Sequence, residues 1–119
     1  MQLYRQIRKG STPVLILSLL AEQPMYGYQI VQELERRSEG YFTMKEGLLY
    51  PALHQMERDD LLNSEWRTVA GARRRKYYFI TDKGRKVLAS SVAEWATFTE
   101  QLMRVIGGGD HAEPEVIPG

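Results

Sequence analysis

Arg73, Arg74, Arg75 and Lys76 follow one another without interruption, with Arg67 shortly ahead of them. Such side chains hold phosphate oxygens, because each cation that meets a polyanion displaces a condensed counterion. The formal net charge is only +1, so positive charge is concentrated in one segment rather than spread over the chain. A bare basic run is more often a solvated stretch than a binding site, and its place in the fold decides its meaning. Other chemistries find few residues to work with. The absence of cysteine removes disulfides, thiolate metal sites and a Cys nucleophile. His54 and His111 do not stand at metal-ligand spacing, and no glycine-rich phosphate loop is present. Glu33, Glu35, Asp59 and Asp60 fit exposed helix faces and ends better than a paired acid and base. The expectation is a protein that is not an enzyme, with no cofactor and no metal.

The elements that must position the basic run fit one body. The 119 residues, 43% hydrophobic and 26% charged, suit a single small domain, for which self-association is a common source of extra stability. No apolar run approaches the roughly 18 to 20 residues that span a bilayer; Val14 to Leu20 is too short. The N-terminus, with Arg5, Arg8 and Lys9, has no cleavable signal pattern, so a cytoplasmic protein without a membrane partner is expected.

Leu3, Tyr4 and Ile7 fall on one face of a short amphipathic N-terminal helix. Ser11 or Thr12 then reads as an N-cap and Pro13 as the first residue of a second, mostly apolar helix ending near Gln23-Pro24. A third helix begins at Tyr26-Gly27, with Gly27, Ile30, Val31 and Leu34 inward and Gln32, Glu33, Glu35 and Arg36 outward. Thr43 and Glu46 have capping-box spacing and open the next helix, whose inner stripe is Leu49, Ala52, Leu53 and Met56. Pro51 lies within that helix, where it deletes a backbone donor and crowds the carbonyl of Gly47. Two β-rich segments, Leu61 to Val69 and Arg75 to Ile80, flank a turn near Ala70-Gly71 and read as a hairpin. Thr81 and Asp82 cap a last helix on which Leu88, Val92, Trp95, Leu102 and Val105 or Ile106 recur at helical spacing, and Gly107 to Gly109 stop it. That helix would extend on the order of 35 Å, more than a small domain needs to cover itself. The tail from Asp110 shows no periodicity and is expected to be disordered.

This order is a mainly α fold with a small β-hairpin: a winged helix-turn-helix over residues 1–84, including the short N-terminal helix, a C-terminal dimerisation helix over 85–107, and a tail over 108–119. In such a fold one helix enters the major groove while a wing holds phosphates. Lys45, Glu46, Leu48, Tyr50 and His54 point away from the inner stripe and are the candidates to face double-stranded DNA; His54 is as readily a surface histidine as a contact. Placed on a wing, Arg73, Arg74, Arg75 and Lys76 become phosphate ligands.

Three ordered segments carry a family resemblance: Tyr26-Gly27-Tyr28-Gln29-Ile30, Gly47-Leu48-Leu49-Tyr50-Pro51-Ala52-Leu53, and Arg74-Arg75-Lys76-Tyr77-Tyr78-Phe79-Ile80-Thr81-Asp82-Lys83-Gly84. From Pro13 to Gly84 the chain resembles PadR-like transcriptional regulators, and its single C-terminal helix is similar to the family's shorter subgroup. The resemblance implies a homodimeric repressor in which the last helices meet across a two-fold axis and each winged body reads half of a pseudo-palindromic operator. It also implies that Tyr28, Lys45, Tyr50, Arg74, Arg75 and Lys76 lie against DNA, although Tyr28 and Tyr50 serve equally well as packing residues. Leu48 replaces a commoner small polar residue and Ala72 a commoner glycine, which leaves the wing's charge intact and makes the family's operator less transferable.

Trp95 stands on the apolar stripe of the last helix with Leu88, Val92 and Leu102. Its plainest role is to anchor a dimer interface. The resemblance adds a second, stacking on a small hydrophobic or aromatic effector, which would be linked reciprocally to operator binding. The alternative for the whole protein is a winged-helix protein-protein interaction module without specific DNA binding, since fold does not fix function.

Overall fold

A computed structural model of the chain describes residues 2–68, 71 and 73–107. Over them run α1 (Gln2–Leu20), β1 (Met25–Tyr26), α2 (Gly27–Arg37), α3 (Glu46–Arg58), β2 (Leu62–Thr68), β3 (Arg74–Ile80) and α4 (Asp82–Ile106). The expected tail, and Ala70 and Ala72 at the expected turn, lie outside the described residues. The chain divides into two units, Met1–Leu88 and Ala89–Gly119.

The first unit is built around one apolar core. Ile16, Leu17 and Leu20 of α1, Ile30 of α2, Leu49 and Leu53 of α3, and Met25, Leu62 and Tyr78 of the sheet are all at most 2% exposed. These are the inner positions of period 3.6 on the helices and of period 2 on the strands. Three antiparallel strands stand in the order β1-β3-β2. The hairpin register is symmetric about Gly71, pairing Trp66 with Lys76 and Ser64 with Tyr78, while β1 adds Met25 opposite Tyr78 and Tyr26 opposite Tyr77.

Helix ends explain how the pieces are held. α2 closes with Gly40 N–H donating to Glu35 O and Glu39 N–H to Arg36 O, with Glu39 left-handed at φ 51°. α3 ends the same way: Leu61 N–H reaches Met56 O, Asp60 N–H reaches Glu57 O, and Asp60 has φ 64°. Ser38 Oγ donates to Leu34 O at 2.7 Å and accepts from Phe42 N–H at 2.8 Å, ordering the connection into α3. Thr81 caps α4 as expected: its hydroxyl accepts from Gly84 N–H at 2.9 Å and donates to Asp60 O at 2.7 Å.

Three local expectations are corrected. α1 is one continuous helix, with Pro13 inside it, in place of a short N-terminal helix followed by a second one. Ser11 and Thr12 are 8% and 5% exposed, so packing places them within the unit and overrides their preference for an exposed helix start. Thr43 and Glu46 form no capping box: Lys45 is the N-cap and Glu46 the first helical residue, which puts Thr43 too early to cap while Glu46 still meets the positive end of the helix dipole. β1 goes unforeseen, since two residues carry no periodicity.

Candidate nucleic-acid interface

α3 presents Glu46, Tyr50 and His54 at four-residue steps, hence on one face. Across from them stands the hairpin, and between the two lies a cleft of about 590 Å³ lined by Tyr26, Gly27, Tyr28, Glu46, Tyr50, His54, Trp66, Arg73 to Lys76 and Tyr78. The cleft thus brings together all but two of the residues singled out from sequence for DNA. The exceptions are Lys45, exposed at the N-cap of α3, and Leu48, exposed in its first turn, neither of them part of the lining.

The four wing cations differ in their surroundings. Alternation along β3 sends Arg74 and Lys76 to one face and Arg75 to the other. The Arg74 guanidinium lies 5.1 Å from the Trp66 ring centroid and that of Arg75 4.3 Å from Tyr26, both within cation–π reach. Lys76 lies over Tyr78 at 5.6 Å, and its ammonium is 3.8 Å from Glu57 of α3. Glu57 also accepts a hydrogen bond of 2.5 Å from Ser64 Oγ, so one carboxylate joins α3 to both strands of the wing. Among the described residues no carboxylate pairs with Arg73, Arg74 or Arg75, and their charge is open to an anion.

The aromatic residues divide as well. Tyr28 is 57% exposed in the first turn of α2. Tyr50 is half-buried, its hydroxyl resting on Gly27 so closely that a Cβ there would overlap the phenol. Burial, and then the charge of Glu46, push the Tyr50 phenol above its ordinary range. Tyr78 is buried at the base of the wing, and burial, followed by the charge of Glu57, raises it to about 12. Both phenols therefore stay protonated at neutral pH, able to donate hydrogen bonds and unable to repel phosphate.

Sequence reasoning missed Trp66, Tyr26 and Glu57 as cleft or brace residues. Trp66 was within reach, because centring the hairpin on Gly71 places it opposite Lys76. Glu57 gives no local signal, since only the approach of α3 to the wing makes it a brace.

In the second unit, Val92, Phe98, Leu102, Met103, Val105 and Ile106 of α4 are all at least 41% exposed. Trp95 is half-buried and meets Phe98 edge-on, with ring centroids 5.9 Å apart. Phe98 fills the step between Trp95 and Leu102 in the stripe and was not anticipated there. A shallow cavity of about 530 Å³ is lined by Ala93, Glu94, Thr97, Phe98 and Gln101, without Trp95. Leu88, in the first unit, packs against the core instead of joining the open face. Among the described residues no group of His, Asp and Glu is arranged to hold a metal, and no helix is long and apolar enough to cross a membrane.

Three helices carrying a β-hairpin wing, with a cationic cleft between wing and α3, define a winged-helix protein. The chain belongs to the transcriptional regulator PadR-like family, whose model matches residues 16–90. It is 36% identical over 108 residues to the transcriptional regulator Rv3488 of Mycobacterium tuberculosis, covering 90% of this chain and 94% of that one. The solved PadR family transcriptional regulator of Eggerthella lenta superposes with a TM-score of 0.77 at 32% identity, over 88% of this chain and 89% of that one. A PadR-like transcription factor from Bacteroides fragilis gives 0.70 at 34% identity, over 88% and 99%. The protein is thus a transcriptional regulator of this family.

Proposed function

We propose that this regulator binds double-stranded DNA in the cytoplasm as a homodimeric repressor, each winged body reading half of a pseudo-palindromic operator. The observation that carries the reading is the cleft at which Glu46, Tyr50 and His54 of α3 face three wing arginines that pair with no carboxylate among the described residues. Arg73, Arg74, Arg75 and Lys76 hold phosphates, which supplies affinity without sequence preference. Lys45 at the N-cap of α3, Tyr50 and His54 on it, and Tyr28 of α2 reach base edges or the adjoining backbone. The apolar residues Val92, Trp95 and Leu102 of α4 meet their equivalents in the second subunit, and a small hydrophobic or aromatic effector enters beside Trp95 to release the operator.

The test is binding to DNA from upstream of the protein's own gene, against unrelated DNA, at two salt concentrations. Tight, selective and salt-sensitive binding is expected. Arg74→Ala should weaken binding to every duplex, whereas Lys45→Ala should also change the preferred sequence. Unaltered binding in both variants would remove the interface assignment. Leu102→Glu should convert the dimer to monomer in light scattering, because it buries an unpaired charge.

A further inference from the structure

We infer that Trp66 is a further component of the DNA interface, a platform that fixes Arg74 for a backbone phosphate and lies against the adjoining deoxyribose. The inference rests on the reading of the wing as a DNA-binding element.

Trp66 is 57% exposed on β2, on a strand whose exposed residues are otherwise polar. Leaving so large an apolar ring in water forfeits the free energy of burying it, and among the described residues more than half of it stays open. Its neighbours decide what can. Lys76 stands directly opposite in register, Arg74 lies over the ring at 5.1 Å, and Arg73 follows at the turn. A cationic partner is repelled there, and a purely apolar one would have to desolvate these cations. A sugar-phosphate backbone offers both complements at once: phosphate for the guanidinium, and the sugar face for the indole, whose N–H can donate to a second phosphate oxygen.

The ring also acts through Arg74. That arginine has no carboxylate partner among the described residues, so the indole orients the guanidinium without neutralising it. Arg67, on the opposite face of the hairpin, shows the contrast: it pairs with Glu65 at 2.8 Å, leaving its charge balanced within the protein.

The test uses the full chain. Trp66 and Trp95 are the two tryptophans, so the difference in emission between wild type and Trp66→Phe reports Trp66 and leaves α4 unaltered. That difference should change on saturation with either operator or unrelated duplex. Trp66→Ala should weaken both complexes about tenfold and lower the slope of log affinity against log salt by about one, as Arg74→Ala does. Trp66→Phe should keep the slope, and adding Trp66→Ala to Arg74→Ala should cost less than Trp66→Ala costs alone, because only the sugar contact is then left to lose. A residue that merely packs the wing would lower the unfolding temperature and leave the slope alone. If Arg74→Ala weakens binding while Trp66→Ala has wild-type affinity and slope, or the emission difference does not move, the platform is overturned and the DNA reading stands. If neither variant changes binding, both readings fall together.

Discussion

The contact between Gly27 and Tyr50 gives a prediction whose sign depends on a second residue. A methyl group at position 27 would overlap the phenol of Tyr50, and the backbone there is not in the left-handed region, so the obstacle to Gly27→Ala is the ring alone. Two responses are open to the protein. Keeping the ring in place forces overpacking, which costs about 1–3 kcal/mol; swinging it out forfeits its partial burial against the core, on the order of 1 kcal/mol for a half-buried aromatic. Part of either cost is offset by the better helix propensity of alanine, at most about 1 kcal/mol at this first helical position. Gly27→Ala should therefore destabilise by about 1 kcal/mol. In a Tyr50→Ala background the overlap is gone and the same substitution should be neutral or stabilising, which makes the coupling energy about 1–2 kcal/mol. The assay is urea unfolding followed by circular dichroism for all four members of the cycle, at one protein concentration because self-association shifts apparent stability. Costs that add to within about 0.5 kcal/mol would refute the contact.

Other outcomes follow from single bonds. Gly84→Ala should destabilise by about 1–2 kcal/mol, since its Cβ would meet the backbone oxygen of Leu61, which has no rotamer to yield with; an equally stable variant in thermal unfolding would refute this. Thr81→Ala should cost about 1 kcal/mol by removing the α4 cap, and Thr81→Ser should recover most of it in the same measurement. Glu57→Ala should lose about 1–2 kcal/mol of stability with the Ser64 bond, yet bind unrelated DNA more tightly at low salt because Lys76 is released; weaker binding would show that the brace matters more than the freed charge. Hydrogen bonds from Arg36 and then Arg37 lower the Glu33 carboxyl from 4.5 to about 2. A group depressed by folding stabilises above its unfolded value and loses that contribution as pH falls toward its folded one. Glu33→Gln should accordingly flatten the decline in stability between those two values, and curves that stay parallel to wild type would count against the bridge.

Residues with long periodic neighbours were legible in the sequence. The inward faces of α2 and α3, the hairpin and the Thr81 cap all follow from spacing that repeats or from a residue type with one strong local use. What escaped depends on partners distant in the chain. β1 exists because Met25 and Tyr26 find Tyr78 and Tyr77, and Ser11-Thr12-Pro13 reads as a helix start until packing buries the two hydroxyls. At the cleft, the cations were visible as a run, but their inequality was not: that Lys76 is tied to Glu57 while Arg74 rests on Trp66 depends on strand register and on where α3 passes the wing.

The single strand β3 serves two environments through one alternation. Arg74 and Lys76 point to the face on which, two residues later, Tyr78 enters the core. One residue inserted or deleted between Lys76 and Tyr78 would turn the phenol to solvent or shift the cations to the other face, because side-chain direction has a period of two. Length changes beside Gly71 disturb neither. The seven-residue strand behind the wing tip therefore tolerates substitution but not insertion.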